Sequence, residues 1–287
     1  MGAPPAGLPL LKIRLKTMQT DMECYPCLLR LAVDMGKIAT ADEGIRWKIL
    51  HEVLRRISVF QKDRVPIVMG REIQSIVRRL GGNPDPYREI KREYNRKARD
   101  MIPFVDAKIA GSDDRLLTAL KMITIANIID FGAFGLNQLG DLVEFFRTKS
   151  SSDFKGAVRF EQFAQSLRKA NSILYVADNC GEIILDCHFI DSFLADKRVY
   201  LSVRGAPVLN DATREDLEGI PLQENVTIMD TGEDSPGAIL ETRSLSDLGI
   251  RSEGKRDRGN IFEDLRTHSE LFDEKTRKYG PISAFPQ

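Results

Sequence analysis

The sequence has no excess charge of either sign: 42 Lys and Arg offset 42 Asp and Glu over 287 residues, and the pI is near 6.9. Such a chain has no global positive field with which to hold nucleic acid or an anionic membrane, so a small-molecule partner is favoured. No apolar run approaches the ~20 residues that span a bilayer. Cysteine is scarce too, with four residues at 24, 27, 180 and 187. Nothing suggests export, so reduced thiols in a cytoplasm are expected in place of a disulfide framework. Internal repeats, coiled-coil heptads and low-complexity blocks are also missing, which removes solenoid and fibrous architectures. What remains, 42% hydrophobic and 29% charged, suits a globular protein of one large or two ordinary domains.

The opening MGAPPAGLPLLKIRLKTMQT places its basic residues after a short apolar piece, the reverse of a secretory signal. Residues 1–21 are therefore expected to form a disordered leader or to reflect a misassigned start, with Met18 or Met22 as the alternative beginning. From Cys24 to about Phe146 the apolar residues follow a helical period. The segments are CLLRLAVDMGKIA, ADEGIRWKILHEVLRRISVF and GREIQSIVRRLGG, the last ended by its paired glycines. A charged helix, REIKREYNRKARDMI, follows. Ser112 then stands as the expected N-cap of a buried-stripe helix in DDRLLTALKMITIANIIDFGAFG.

The chain turns polar around TKSSSDFKG, and the period changes beyond it. SILYVA, RVYLSVRG and NVTIMDTG read as strands, while GEIILDCHFIDSFLA and DATREDLEGI read as helices. This alternation predicts an α/β architecture: an N-terminal all-helical domain, residues 22–150, and a three-layer α/β/α, Rossmann-like domain, residues 151–250, with a mainly parallel sheet. Residues 251–287 form an atypical charged tail.

In parallel sheets ligands sit outside the carboxyl ends of the strands, and polar groups gather at those ends here. The first strand releases Asp178 and Asn179, and Gly181 permits a tight turn into the next helix. The second strand ends in VRGAPVLNDAT, offering Arg204 as a planar anion clamp, then Asn210 and Asp211. Oxygen donors from Asp178, Asn179 and Asp211, with only His188 nearby on the helix, favour Mg²⁺, Mn²⁺ or similar octahedral ions over thiolate-bound zinc. A cation beside an arginine and a helix N-terminus suits phosphate. TGEDSPG adds the hydroxyls of Thr231 or Ser235. These side chains are expected to line an open cleft. The bland reading is that Asp178 and Asn179 close a turn, that Asp211 caps a helix and that Arg204 is a solvated charge. Recurrence of polar groups at successive strand ends favours the site. Cys24 and Cys27, three apart on one helix face, could bind metal, yet only Cys180 and Cys187 remain to complete a zinc site, so buried helix cysteines are the better reading.

The pattern Asp178-Asn179-x-Gly181-Glu182, followed by Arg204-Gly-x-Pro207-x-x-Asn210-Asp211-x-Thr213, carries a family resemblance. It is preceded by Cys-x-x-Cys and by a helix ending in Asn127-Ile-Ile-Asp130-Phe-Gly132. Over about residues 22 to 240 the chain resembles the damage-control metal phosphatases, long filed as domain of unknown function eighty-nine, in their small stand-alone archaeal and bacterial form. The resemblance implies a divalent-metal phosphatase, using Mn, Co, Ni or Mg, that acts on small phosphorylated metabolites such as sugar phosphates or phosphopantetheine-like compounds. It implies Asp178, Asn179 and Asp211 as metal ligands, and Arg204 on the phosphate. Asn127 and Asp130 would approach substrate from the helical domain, and Glu182 would join the catalytic group.

Two features point elsewhere. One branch of the family was proposed to methylate protein carboxylates, so a catalytically weak binding protein or a methyltransferase-like relative is the alternative; the lack of a Gly-x-Gly loop after the first strand argues against a methyl-donor site. After about Leu240 the expected Lys-Gly-x-Gly-Asn element and final strand give way to charged sequence, in which Lys255 and Gly259-Asn260 echo the element out of register. A frameshifted or truncated reading is the expectation there.

Overall fold

The computed structural model describes residues 20–60, 66–128, 146–149 and 160–230. Three helices come first: α1 Cys24–Ala39, α2 Glu43–Ile57 and α3 Pro66–Gly81. Each presents one apolar stripe, as in Ile49, Val53 and Ile57 of α2 or Met69, Ile73, Ile76 and Val77 of α3. These stripes meet Leu28, Ala32 and Met35 of α1 in one hydrophobic cluster. Asp42 caps α2 by accepting the Ile45 N–H at 3.0 Å. The paired glycines end α3 as expected: Gly82 takes φ +67°, and a Cβ on Gly81 would come within 3.1 Å of the Ala39 Cβ.

Helix α4 spans Arg88–Ala110, eight residues beyond the expected end at Ile102, and runs through Pro103. Proline removes one N–H, but Val105 and Ile109 continue the stripe that begins at Tyr94 and Ala98, and their burial outweighs the break. Helix α5, Arg115–Ile128, is capped by Asp114, which accepts the Leu117 N–H at 2.9 Å. The Ser112 hydroxyl donates backwards to the Ile109 carbonyl, so Asp114 replaces it as the cap.

Beyond α6, Phe160–Lys169, the chain forms β1 Ser172–Val176, α7 Glu182–Phe193, β2 Arg198–Val203 and β3 Val226–Asp230. The three strands lie parallel in the order β1-β2-β3, with Tyr175 opposite Leu201 and Leu201 opposite Ile228. The molecule is thus mixed α/β and mostly helical, with a small parallel sheet. Tyr175, Val199, Leu201 and Val203 share a core with α4, α5 and α7. On the opposite face of β1, Leu174 and Val176 are exposed. The boundary between the two hydrophobic clusters falls between α3 and α4, and Ile90 touches both.

The segment DATREDLEGI does not form the expected helix; only a 3-10 turn at Glu215–Leu217 appears. Its first residues are held elsewhere. Asp211 bridges Asn179, Thr213 bridges Arg204, and Gly219 at φ +75° ends the turn. Among the described residues no helix is long and apolar enough to cross a membrane.

Candidate active site at the strand ends

Strand β1 delivers Asp178 by extending its ladder one residue, with the Ala177 N–H donating to the Ser202 carbonyl at 2.9 Å. The loop after β2 then folds back across this tip. Asn179 and Asp211 form an isolated antiparallel bridge. Beside it the Ala212 N–H donates to the Asp178 carbonyl at 2.7 Å, and the Cys180 N–H to the Asn210 carbonyl at 2.8 Å. Gly181, at φ +89°, makes the turn into α7, a conformation that favours glycine. Its N–H is taken by the Asn95 side chain at 2.6 Å.

Side chains converge on this frame. The Asn127 amide, at the end of α5, donates to Glu182 Oε2 at 2.8 Å and to Asp178 Oδ2 at 3.3 Å. The Asn179 amide also donates to Asp178 Oδ2, at 3.3 Å, while its own oxygen accepts from Asn210 at 2.9 Å. From the end of β2, Arg204 Nε meets Asp211 Oδ2 at 2.5 Å, and a terminal nitrogen lies 3.8 Å from Asp178 Oδ1. The structure therefore brings together Asp178, Asn179, Glu182, Arg204, Asn210, Asp211 and Asn127. Asp130, Thr231, Ser235, Lys255 and the Gly259-Asn260 pair lie outside the described residues.

The expected open cleft needs correction. The Asp178 side chain is half exposed at 50%, but those of Arg204 and Asp211 are only 12% and 9% exposed, and Asn179 is buried. The backbone bridges that join the two loops also enclose their side chains. Burial has an electrostatic consequence at Glu182: loss of solvent pushes its carboxyl up to about 7, and nearby Asp178 adds to this against the opposing Asn127 hydrogen bond. One turn on, the fully buried Asp186 is raised well above the usual range by burial and by Glu182, although it accepts the Tyr175 hydroxyl at 2.6 Å.

Sequence reasoning missed Lys91, Asn95, Tyr175, Asp186 and Asp216. Asp186 was accessible, since it lies four residues after Glu182 on one helix face. Lys91 and Asn95 lay hidden in a run that reads as a solvated charged helix. The cysteine expectation also changes: Cys24 is only partly buried and Cys27 is exposed, whereas Cys180 and Cys187 are the buried pair. Among the described residues no group of three or more His, Cys, Asp or Glu side chains is placed to hold a metal. The expected set has two such groups, Asp178 and Asp211, plus the Asn179 amide.

A parallel α/β unit thus carries two carboxylates, paired amides and an arginine at adjoining strand ends, backed by helices, which is where such sheets set their ligand-facing groups. Residues 20–248 match the family described as the damage-control phosphatase ARMT1-like domain. The chain belongs to this family. It is 30% identical over 244 residues to an uncharacterised protein of Methanocaldococcus jannaschii, covering 81% of this chain and 77% of that protein. It is 27% identical over 228 residues to a damage-control phosphatase of Pyrococcus horikoshii, covering 78% and 77% of the two chains. A damage-control phosphatase of Archaeoglobus fulgidus is 27% identical over 204 residues, 69% of each chain. The fold matches a crystal structure of a DUF89 family protein from Pyrococcus horikoshii, with a TM-score of 0.67 over 80% of this chain and 79% of that one, at 24% identity.

Proposed function

We propose that the protein is a divalent-metal-dependent phosphatase that hydrolyses small phosphorylated metabolites, with sugar phosphates and phosphopantetheine-like compounds as the substrate classes. One observation carries the reading. The Asn179–Asp211 bridge sets two carboxylates and an amide side by side, and Arg204 reaches both carboxylates. Family membership supports the reaction type.

The donor set fits a hard cation. Asp178, Asn179 and Asp211 offer oxygens and no thiolate or imidazole, which suits Mg²⁺, Mn²⁺, Co²⁺ or Ni²⁺. When bound, such a cation supplies positive charge that offsets repulsion between phosphoryl oxygens and an incoming nucleophile. The chain's own residues supply the rest. Arg204, held on Asp211 through Nε and with a terminal nitrogen 3.8 Å from Asp178, stands where its guanidinium can turn to phosphoryl oxygens. Asn127 holds the Asp178 and Glu182 carboxylates in a fixed relation through one amide. Glu182, at about 7, can accept or release a proton near neutrality. A cytoplasmic location goes with this reading, as the scarcity of cysteine in the sequence suggests.

Colour release from an aryl phosphate, measured after chelation and after adding back Mn²⁺, Co²⁺, Ni²⁺ or Mg²⁺, tests the proposal. Restoration by metal is the expected result, and Arg204→Ala should raise KM by roughly 10-fold, a larger change than in metal affinity. Tight metal binding with no hydrolysis of any phosphomonoester would favour a binding protein instead.

A further inference from the structure

Helix α4 lies outside the strand-loop frame of the site, yet it buries a lysine and an asparagine one turn apart on the face that meets that frame. Lys91 is 3% exposed and Asn95 is 8% exposed. Each reaches a different half of the site. Asn95 Oδ1 accepts the Gly181 N–H at 2.6 Å, two residues after Asn179. Lys91 Nζ donates to Asp216 Oδ2 at 3.0 Å, with Asp85 Oδ2 at 3.5 Å. The same Asp216 oxygen accepts both the Thr213 N–H, at 2.9 Å, and the Thr213 hydroxyl, at 2.7 Å. Thr213 is two residues after Asp211 and is bridged to Arg204, whose N–H donates to the Ala212 carbonyl at 2.9 Å.

We propose that Lys91 and Asn95 are positioning residues: from one rigid helix they fix the spacing between the Asp178-Asn179 turn and the Arg204-Asp211 loop. This rests on the reading that the two halves together hold a divalent cation and a phosphate. The halves are separate loops joined at the Asn179–Asp211 bridge and its two flanking backbone hydrogen bonds, and because a hard cation tolerates little error in the separation of its oxygens, bracing from a third element adds to that bridge. Two contacts one turn apart on a helix have a separation set by the helix itself. The buried charges of Lys91 and Asp216 reinforce one another: Lys91 keeps a raised pKa despite the burial that opposes it, and Asp216 keeps a lowered one. Groups that orient metal ligands from behind commonly change metal affinity by ~10- to 100-fold when removed.

The test uses the full chain and three variants: Asn95→Ala, Asn95→Asp, which keeps the acceptor at a helix N-terminus, and Thr213→Val, which removes one hydrogen bond at constant volume. Amide hydrogen exchange over residues 178–183 and 210–214, Mn²⁺ affinity by calorimetry, and kcat and KM on an aryl phosphate are read together. Asn95→Ala should speed exchange at residues 178–183 by about 10-fold or more, weaken Mn²⁺ by about 10-fold or more and lower kcat with KM held within roughly 3-fold. Asn95→Asp should recover most of each change. Thr213→Val should loosen residues 210–214 and weaken Mn²⁺ in the same sense, and it carries the test alone if Asn95→Ala does not fold. Folded variants with a lower unfolding midpoint but unchanged local exchange and Mn²⁺ affinity would overturn the proposal, leaving both residues as mere core. Should the parent protein hydrolyse no phosphomonoester, the phosphatase reading fails, while local exchange and Mn²⁺ affinity still decide whether α4 positions the two loops.

Discussion

Replacing Glu182 by Gln should stabilise the metal-free protein at alkaline pH and do little in acid. Glu182 is buried, and its pKa rises from the ordinary 4.5 to about 7, chiefly through loss of solvent. The sign follows from proton binding. Between these two values the folded chain retains a proton that the unfolded chain has released, so stability falls as pH rises through the window. Below 4.5 both states are protonated and above 7 both are ionised. A shift of this size corresponds to about 3 kcal/mol at most, of which roughly 2.5 kcal/mol is lost between pH 5 and pH 8. Glutamine cannot ionise and still offers an oxygen to the Asn127 amide. Urea unfolding in chelator at the two pH values measures the effect: the gain of Glu182→Gln over its parent should be about 1–3 kcal/mol larger at pH 8. A difference that is the same at both pH values would refute the reasoning.

Lys91→Met should cost about 3–5 kcal/mol in urea unfolding, because Asp85 and Asp216 would remain buried without their cation; a loss under about 1 kcal/mol would show that the charges relax into solvent. Cys24→Ser combined with Cys27→Ser should leave turnover within roughly 3-fold, since Cys27 is exposed and neither residue touches the strand-end site; stoichiometric zinc lost together with folding in that double variant would contradict this.

The sequence made some of this structure legible and hid the rest for physical reasons. The helices α1 to α3 and the three strands followed from apolar period, because each buries one face against neighbours that any amphipathic element would find. The Asp178–Glu182 turn was visible because acid and amide groups recur at successive strand ends, although Asp and Asn directly after a strand also serve as ordinary turn residues. Lys91 was not visible: its partner Asp216 lies 125 residues away, and a lysine among arginines and glutamates looks solvated until the fold buries it. The segment after Asp211 misled for a related reason. Its helical propensity is real but loses to tertiary bridges that hold Asp211 and Thr213. The burial of Asp211 likewise came from backbone pairing across two loops, which no local pattern reports.

The central claim is that the strand-end carboxylates hold a cation that drives phosphate-ester hydrolysis, and Asp178→Asn tests it most directly. Asp178 is the better choice of the two carboxylates. It is half exposed, so its replacement spares the fold, whereas Asp211→Asn would also break the buried pair with Arg204. The measurement is turnover of an aryl phosphate by chelated protein titrated with Mn²⁺, parent and variant side by side, with folding checked by circular dichroism. The parent should be active only when metal is returned, and folded Asp178→Asn should lose about 100-fold or more, equivalent to roughly 2.7 kcal/mol of transition-state stabilisation. Parent turnover indifferent to chelator, or an Asp178→Asn protein as active as its parent, would contradict it.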